Sequence, residues 1–242
     1  MEVMAVRGGF PFGVDGLRMD YYMMNCPFAD QIVKNTVNRA LQDDPTLAAA
    51  LVRMHFHDCF IEAGGPFYEI PKGRKDGRRS KIEDTINLPF PTFNTTELIN
   101  AFGQRGFTAQ EMVALSGAHT LGVARCSSFK GRLSGSDPLL ESEFAKTLSK
   151  TCSAGDNAQQ AFDATPNTFD NFYFNALIRK NGLLFSDQTL YSTPRTRAIV
   201  NGYAMNQAMF FLDFQSAMVK MGRLNVKEGS NGEVRANCRK IN

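Results

Sequence analysis

Apolar positions along this 242-residue chain recur mostly at helical intervals, and alternating β-branched runs are scarce. Residues three and four apart share a helix face, so this period marks amphipathic helices. Ile32, Val33, Val37, Ala40 and Leu41 form one such stripe, which predicts a helix over 28–42 opened by Pro27. Asp44 is the expected N-cap of a second helix that continues through residue 60. Residues 64–91 are rich in Gly, Pro and charge and read as loop. A helix over 95–104 stops at Gly106. Thr108 and Glu111 have capping-box spacing and launch a helix through Met112, Val113 and Leu115 toward His119. Shorter helices fit 139–150 and 169–182, the latter with Asp170 as cap and Gly182 as stop. The last long helix covers 205–221, with Phe210, Phe211, Phe214, Met218 and Met221 inward. The fold class is therefore all-α, with long irregular connections of the kind that are usually functional.

Composition changes this picture little. Hydrophobic residues make up 43% and charged residues 21%, ordinary for a globular chain able to bury a sizeable core. A net charge of +3 and one basic run, Lys72 to Lys81, do not amount to a nucleic-acid surface, because no aromatic residues are interleaved for base stacking. The longest apolar run, Leu47 to Val52, is far too short to span a membrane. No apolar signal core is visible in residues 1–16. Five cysteines cannot all pair within a monomer, and no CxxC is present.

The candidate chemistry concentrates in "LAAALVRMHFHDCF", Leu47 to Phe60. On a helix Arg53 and His57 share one face with Phe56 beside them, while His55 and Cys59 share another. A fixed cation beside a base of ordinary pKa ~6.5 suits general acid–base work on a small oxygen substrate. A core histidine with a surface arginine is the plainer alternative, and the pair alone leaves both open. Metal binding by His55, His57 and Cys59 is disfavoured, because those side chains diverge around the helix. The remaining histidine, His119, closes an apolar helix in "EMVALSGAHTLG", where a lone histidine is usually a cap. An isolated histidine opposite an Arg/His helix meets the needs of a haem site, with an axial ligand on one side and catalytic groups on the other.

The motifs "RMHFHDCF", "ALSGAHTLG", "FDATPNTFDN", "GLLFSDQTLY" and "VRANCRKIN" occur together in order. In these the chain resembles the secretory plant (class III) haem peroxidases over residues 17–242. The resemblance implies the haem-dependent peroxidase fold, with haem b between a distal and a proximal helical domain, and residues 1–16 as an extension outside it. It implies reduction of hydrogen peroxide and one-electron oxidation of phenolic donors by a monomer, located outside the cell or in the vacuole, with no nucleic-acid or membrane partner. By that resemblance His119 is the axial ligand of the haem iron and Asp187 its buried carboxylate partner. Arg53, His57 and Phe56 are the distal catalytic residues: His57 moves a proton between the peroxide oxygens, and Arg53 stabilises the charge on the departing one. Pro89 belongs to the donor site. Thr120, Asp163, Thr165, Thr168 and Asp170 are expected to hold a proximal calcium. Asp58 and Ile61 are what remains of a distal calcium site. Cys126 and Cys152 are expected to form a disulfide.

One departure from the family pattern stands out. Between Glu62 and Ala63 the chain passes directly into "GGPFYEIPKGRKDGRRS". A typical member carries a Gly-Cys-Asp motif, two helices and further cysteines there, together with most distal calcium ligands and the asparagine that orients the distal histidine. Cys26, Cys59 and Cys238 would then lack their usual partners. The alternative expectation is thus a truncated, catalytically impaired peroxidase-like protein that binds haem weakly or not at all.

Overall fold

The computed structural model describes residues 17–53, 69–79, 81–135, 137–227, 229–237 and 239–242. Among them helices dominate. In chain order they are α1 (Ala29–Asp43), α2 (Leu47–Arg53), α3 (Thr95–Gly103), α4 (Ala109–Ser116), α5 (Ser142–Cys152), α6 (Phe172–Ile178), α7 (Phe185–Ser192), α8 (Pro194–Met205) and α9 (Gln207–Gly222). The single described sheet pairs β1 (Val123–Arg125) with β2 (Gln159–Ala161) antiparallel, Ala124 opposite Gln160.

Helix starts follow local chemistry. At α4 the Thr108 hydroxyl accepts from the Glu111 N–H at 3.1 Å, and the Glu111 carboxylate accepts from the Thr108 N–H at 2.7 Å, as the capping-box spacing predicts. Asn94 and Glu97 make the same reciprocal pair at α3. Pro194 at the start of α8 occupies a position where its missing N–H has no intrahelical partner to lose.

Several expectations change. The predicted helix 205–221 is α9, which starts two residues later than expected because the Asn206 side chain accepts from the Met209 N–H and caps it there. Phe210, Phe214 and Met218 are buried as expected, while Phe211 and Met221 are only half-buried. The helix expected over 169–182 is the shorter α6. Lys180 at φ +60° turns the chain before Gly182, and Asp170 accepts from the Phe172 N–H at 2.8 Å just ahead of the helix. In α1 only Val37 and Leu41 of the stripe are buried, and Ile32 and Val33 are exposed. Among the described residues α1 packs mainly on the short α2, which cannot cover the whole stripe. The predicted extension of α2 through residue 60 lies outside the described residues.

The main core gathers around α4, α6, α8 and α9. Val113, Phe174, Leu177, Val200, Tyr203, Phe210 and Phe214 are fully buried there. A second cluster holds Cys126, Phe129, Leu140, Leu148, Leu183 and Leu184. Cys126 and Cys152 are joined in a disulfide across 26 residues, as the resemblance implies, and this ties α5 to the end of β1. Cys26 is unpaired among the described residues, and Cys59 and Cys238 lie outside them. Closing a loop of this length stabilises by about 3–4 kcal/mol through the unfolded chain. Serine at both positions should lower the free energy of urea unfolding by that amount. A loss below about 1 kcal/mol would mean that the bridge constrains nothing the fold does not already hold.

Candidate active site around His119 and Asp187

His119 closes the helical segment, as the periodicity suggests, but in a tightened last turn. It sits in a 3₁₀ turn, Gly117–Thr120, that follows α4. Gly117 lets that turn lie close against the core. A Cβ there would lie 2.5 Å from the Phe210 ring and 2.8 Å from Phe174, so the backbone is pressed onto the core. The turn aims His119 at the first turn of α7, where its Nδ1 meets the Asp187 carboxylate Oδ1 at 2.8 Å. The imidazole is 39% exposed and the carboxylate only 2%.

A carboxylate so buried needs donors, and Asp187 has them. The Leu184 N–H reaches its Oδ2 at 3.2 Å, and the Tyr173 hydroxyl reaches Oδ1, the same oxygen that faces His119, at 3.0 Å. Burial pushes the Tyr173 phenol well above its ordinary pKa, and the Asp187 charge adds to that, so the hydroxyl stays a donor. The loop leading into Asp187 is pinned by Arg132. Its Nη1 donates to the carbonyls of Leu183 and Leu184, and its Nε pairs with Asp137 at 2.8 Å. Phe162, one residue past β2, stacks on the imidazole with ring centres 4.3 Å apart and planes 4° from parallel. Tyr173, Phe162 and Arg132 are functional neighbours that sequence reasoning missed. The tyrosine is visible in "FDNFYFN" only as one more helical aromatic.

In front of His119 lies a cavity of about 280 Å³. Pro89, Phe90, Pro91, Leu98, Phe102, Leu115 and Leu184 give it an apolar wall, and Ser116, Ser186 and Asp187 complete it. With Nδ1 engaged by Asp187, a metal bond falls to the other ring nitrogen. An apolar wall beside one carboxylate-backed imidazole fits a flat, largely apolar ring system carrying a metal.

Thr120, next to His119, begins a second cluster. Its hydroxyl lies 2.7 Å from Asp163 Oδ2 and 3.1 Å from Asp170 Oδ1. The Thr165 hydroxyl lies 3.2 Å from each of the two carboxylates, and the Thr165 N–H donates to Asp163 at 2.8 Å. Burial pushes the Asp163 carboxyl up, the Thr120 hydroxyl opposes that, and the nearby Asp170 charge adds to the rise. Thr168 approaches through its backbone, its N–H donating to the Thr165 carbonyl. Four of the five residues expected around a proximal cation thus converge through their side chains. Among the described residues no cluster of three or more His, Cys, Asp or Glu side chains suited to a metal occurs, and this one combines two carboxylates with hydroxyls.

Arg53 is the last residue of α2, with its side chain outside the described set. Phe56, His57, Asp58 and Ile61 also lie outside the described residues.

The family sequence model described as peroxidase matches residues 61–206, more than half of the chain. Peroxidase 47 of Arabidopsis thaliana is 58% identical over 297 residues, a match covering 97% of this chain and 91% of that protein. The chain belongs to the peroxidase family. Peroxidase 64 of the same plant is 36% identical, with 95% of this chain and 94% of that one covered. The cationic peroxidase SPC4 of Sorghum bicolor is 33% identical, with 92% and 81% covered. Within the family the chain is a class III plant haem peroxidase, an oxidoreductase with a haem cofactor. The relatives' names favour this reading over that of an impaired peroxidase-like protein. The helical architecture agrees with the peroxidase fold, and among the described residues no helix is long and apolar enough to cross a membrane. The 297 aligned positions of the first match exceed the 242 residues of this chain, so that relative carries positions with no counterpart here.

Proposed function

We propose that this peroxidase holds haem through His119 and uses it to reduce hydrogen peroxide with electrons from small phenolic donors. The observation that carries this is the 2.8 Å bond from His119 to the buried Asp187 beside an apolar cavity. Bound there, haem would supply a redox-active iron that passes electrons, taken one at a time from the donors, to hydrogen peroxide. The chain's own residues do the rest. His119 anchors the cofactor, and Asp187 increases the electron donation of its imidazole. By the family resemblance His57 would move a proton from one peroxide oxygen to the other, Arg53 would stabilise the charge on the departing oxygen, and Phe56 would be the aromatic residue beside them. Pro89, which lines the His119 cavity, guides the donor.

Calcium belongs with Thr120, Asp163, Thr165, Thr168 and Asp170, since hydroxyl, carbonyl and carboxylate oxygens suit a hard cation. The support is the convergence of two carboxylates and two hydroxyls in that cluster. Asp58 and Ile61 are too few ligands for a second calcium, which takes six to eight oxygens. The segment lacking between Glu62 and Ala63 would account for the excess of aligned positions in the first relative, and for the exposure of Ile32 and Val33 on α1 and of Phe28 just before it. Secretion follows from the family, and a monomer is the simplest assembly.

Titrating the purified chain with haemin tests the reading. A saturable Soret band at one equivalent is expected, and its spectrum should change on adding one equivalent of hydrogen peroxide. Absorbance that stays that of free haemin throughout would sink the proposal.

A further inference from the structure

Asp187 Oδ1 accepts from two groups at once, His119 Nδ1 at 2.8 Å and the Tyr173 hydroxyl at 3.0 Å. Bulk solvent does not reach that oxygen, because the carboxylate is 2% exposed and the whole of Tyr173 only 1%. The Tyr173 ring is fixed from both sides. It meets the His119 ring edge-on at 6.1 Å and the Phe174 ring at 5.0 Å, and it stands in the first turn of α6. The second oxygen of Asp187 faces the Leu184 N–H at the start of α7, so the tyrosine and the histidine are both directed to Oδ1. Hydrogen bonds in a low-dielectric interior polarise one another, and a donor removed from a shared oxygen returns charge to its competitor.

We infer that Tyr173 is a positioning residue for the haem site, which sets how much of the Asp187 charge reaches the His119 imidazole. The inference rests on the reading of His119 as haem ligand. Without the tyrosine's bond, Asp187 pulls harder on Nδ1–H, the imidazole becomes the stronger donor, and ferric iron is favoured over ferrous. With a stronger phenol donor the order reverses. Partners of this kind tune a metal site by about tenfold or more.

Two measurements test this, one of which needs no haem. In the haem-free chain the His119 Nδ1 proton should move downfield in Tyr173→Phe, and upfield when 2,3-difluorotyrosine, a stronger hydrogen-bond donor, replaces Tyr173. In the haem-loaded chain the ferric-to-ferrous ratio at fixed potential should rise roughly tenfold in Tyr173→Phe, a fall of ~59 mV for a one-electron couple. It should move the opposite way with the fluorinated residue. Phenylalanine keeps the ring and its packing, so a merely structural tyrosine would leave the proton resonance and the potential where they are, or shift them in one direction for both replacements. Either result overturns the inference. Failure of the chain to take up haem would instead count against the haem reading, while the proton shift would still decide the role of Tyr173.

Discussion

Replacing His119 with alanine is expected to abolish haem retention and to lower peroxide-dependent oxidation of a phenol by well over 100-fold. The floor for that figure comes from residues that merely support a metal ligand, whose loss costs about 10–100-fold. Removal of the ligand itself must exceed it. The fold should survive the change. Asp187 keeps the Tyr173 hydroxyl and the Leu184 N–H as donors, so the buried carboxylate is not left bare. The imidazole is 39% exposed, so its truncation opens little core. Haemin titration beside a thermal melt separates the two effects. The variant should melt within a few degrees of the parent and yet show no saturable Soret band. A variant that still binds haem at one equivalent, or that turns over at a tenth of the parent rate, would place the ligand elsewhere.

Much of this site was legible because its signals are local. The Thr108–Glu111 capping box fixes where α4 starts, and with it where Gly117 and His119 fall. Asp187 and the Thr120, Asp163, Thr165 and Asp170 cluster were readable only through the resemblance, since no helical period links residues so far apart in sequence. Tyr173 was hidden for a different reason. A buried tyrosine looks like any core aromatic until its hydroxyl partner is known, and that partner is 14 residues away on another helix.

Helix α7 escaped the hydrophobic pattern altogether. Ser186, Asp187, Gln188 and Thr189 are all buried in it, so it has no polar face to alternate with an apolar one. Their burial is met by specific partners. Gln188 accepts from the Gly182 N–H and donates to the Leu177 carbonyl, both at 2.9 Å, and Thr189 bonds Thr95 across to α3. Helix α8 carried a readable signal in Thr193-Pro194, a natural start that the apolar period alone does not reveal. The α1 stripe erred the other way. Its period is sound, but a stripe predicts only a face able to be buried, and burial needs an element to pack on it.

The largest effect on stability is expected at Phe210, where alanine should lower the unfolding free energy by about 3–5 kcal/mol, a large part of the 5–15 kcal/mol typical of a domain. Phe210 is fully buried and sits at the centre of an aromatic cluster. Its ring lies 4.9 Å from Phe174, 5.3 Å from Phe169, 5.7 Å from Phe214 and 5.8 Å from Tyr203. Phe174, Tyr203 and Phe169 are each held by another helix or loop, and Phe214 by the next turn of α9, so the walls cannot readily collapse to fill the space. The same ring closes on Gly117. Its loss should therefore loosen the 3₁₀ turn that aims His119, and haem affinity should fall together with stability. Phe211, half-buried one position along, supplies the contrast. Phe211→Ala should cost less stability and leave haem affinity near that of the parent. Urea unfolding and haemin titration of the two variants give the comparison. Equal losses at both positions would mean that the cluster is plastic, and that Gly117 and His119 take their placement from α4 alone.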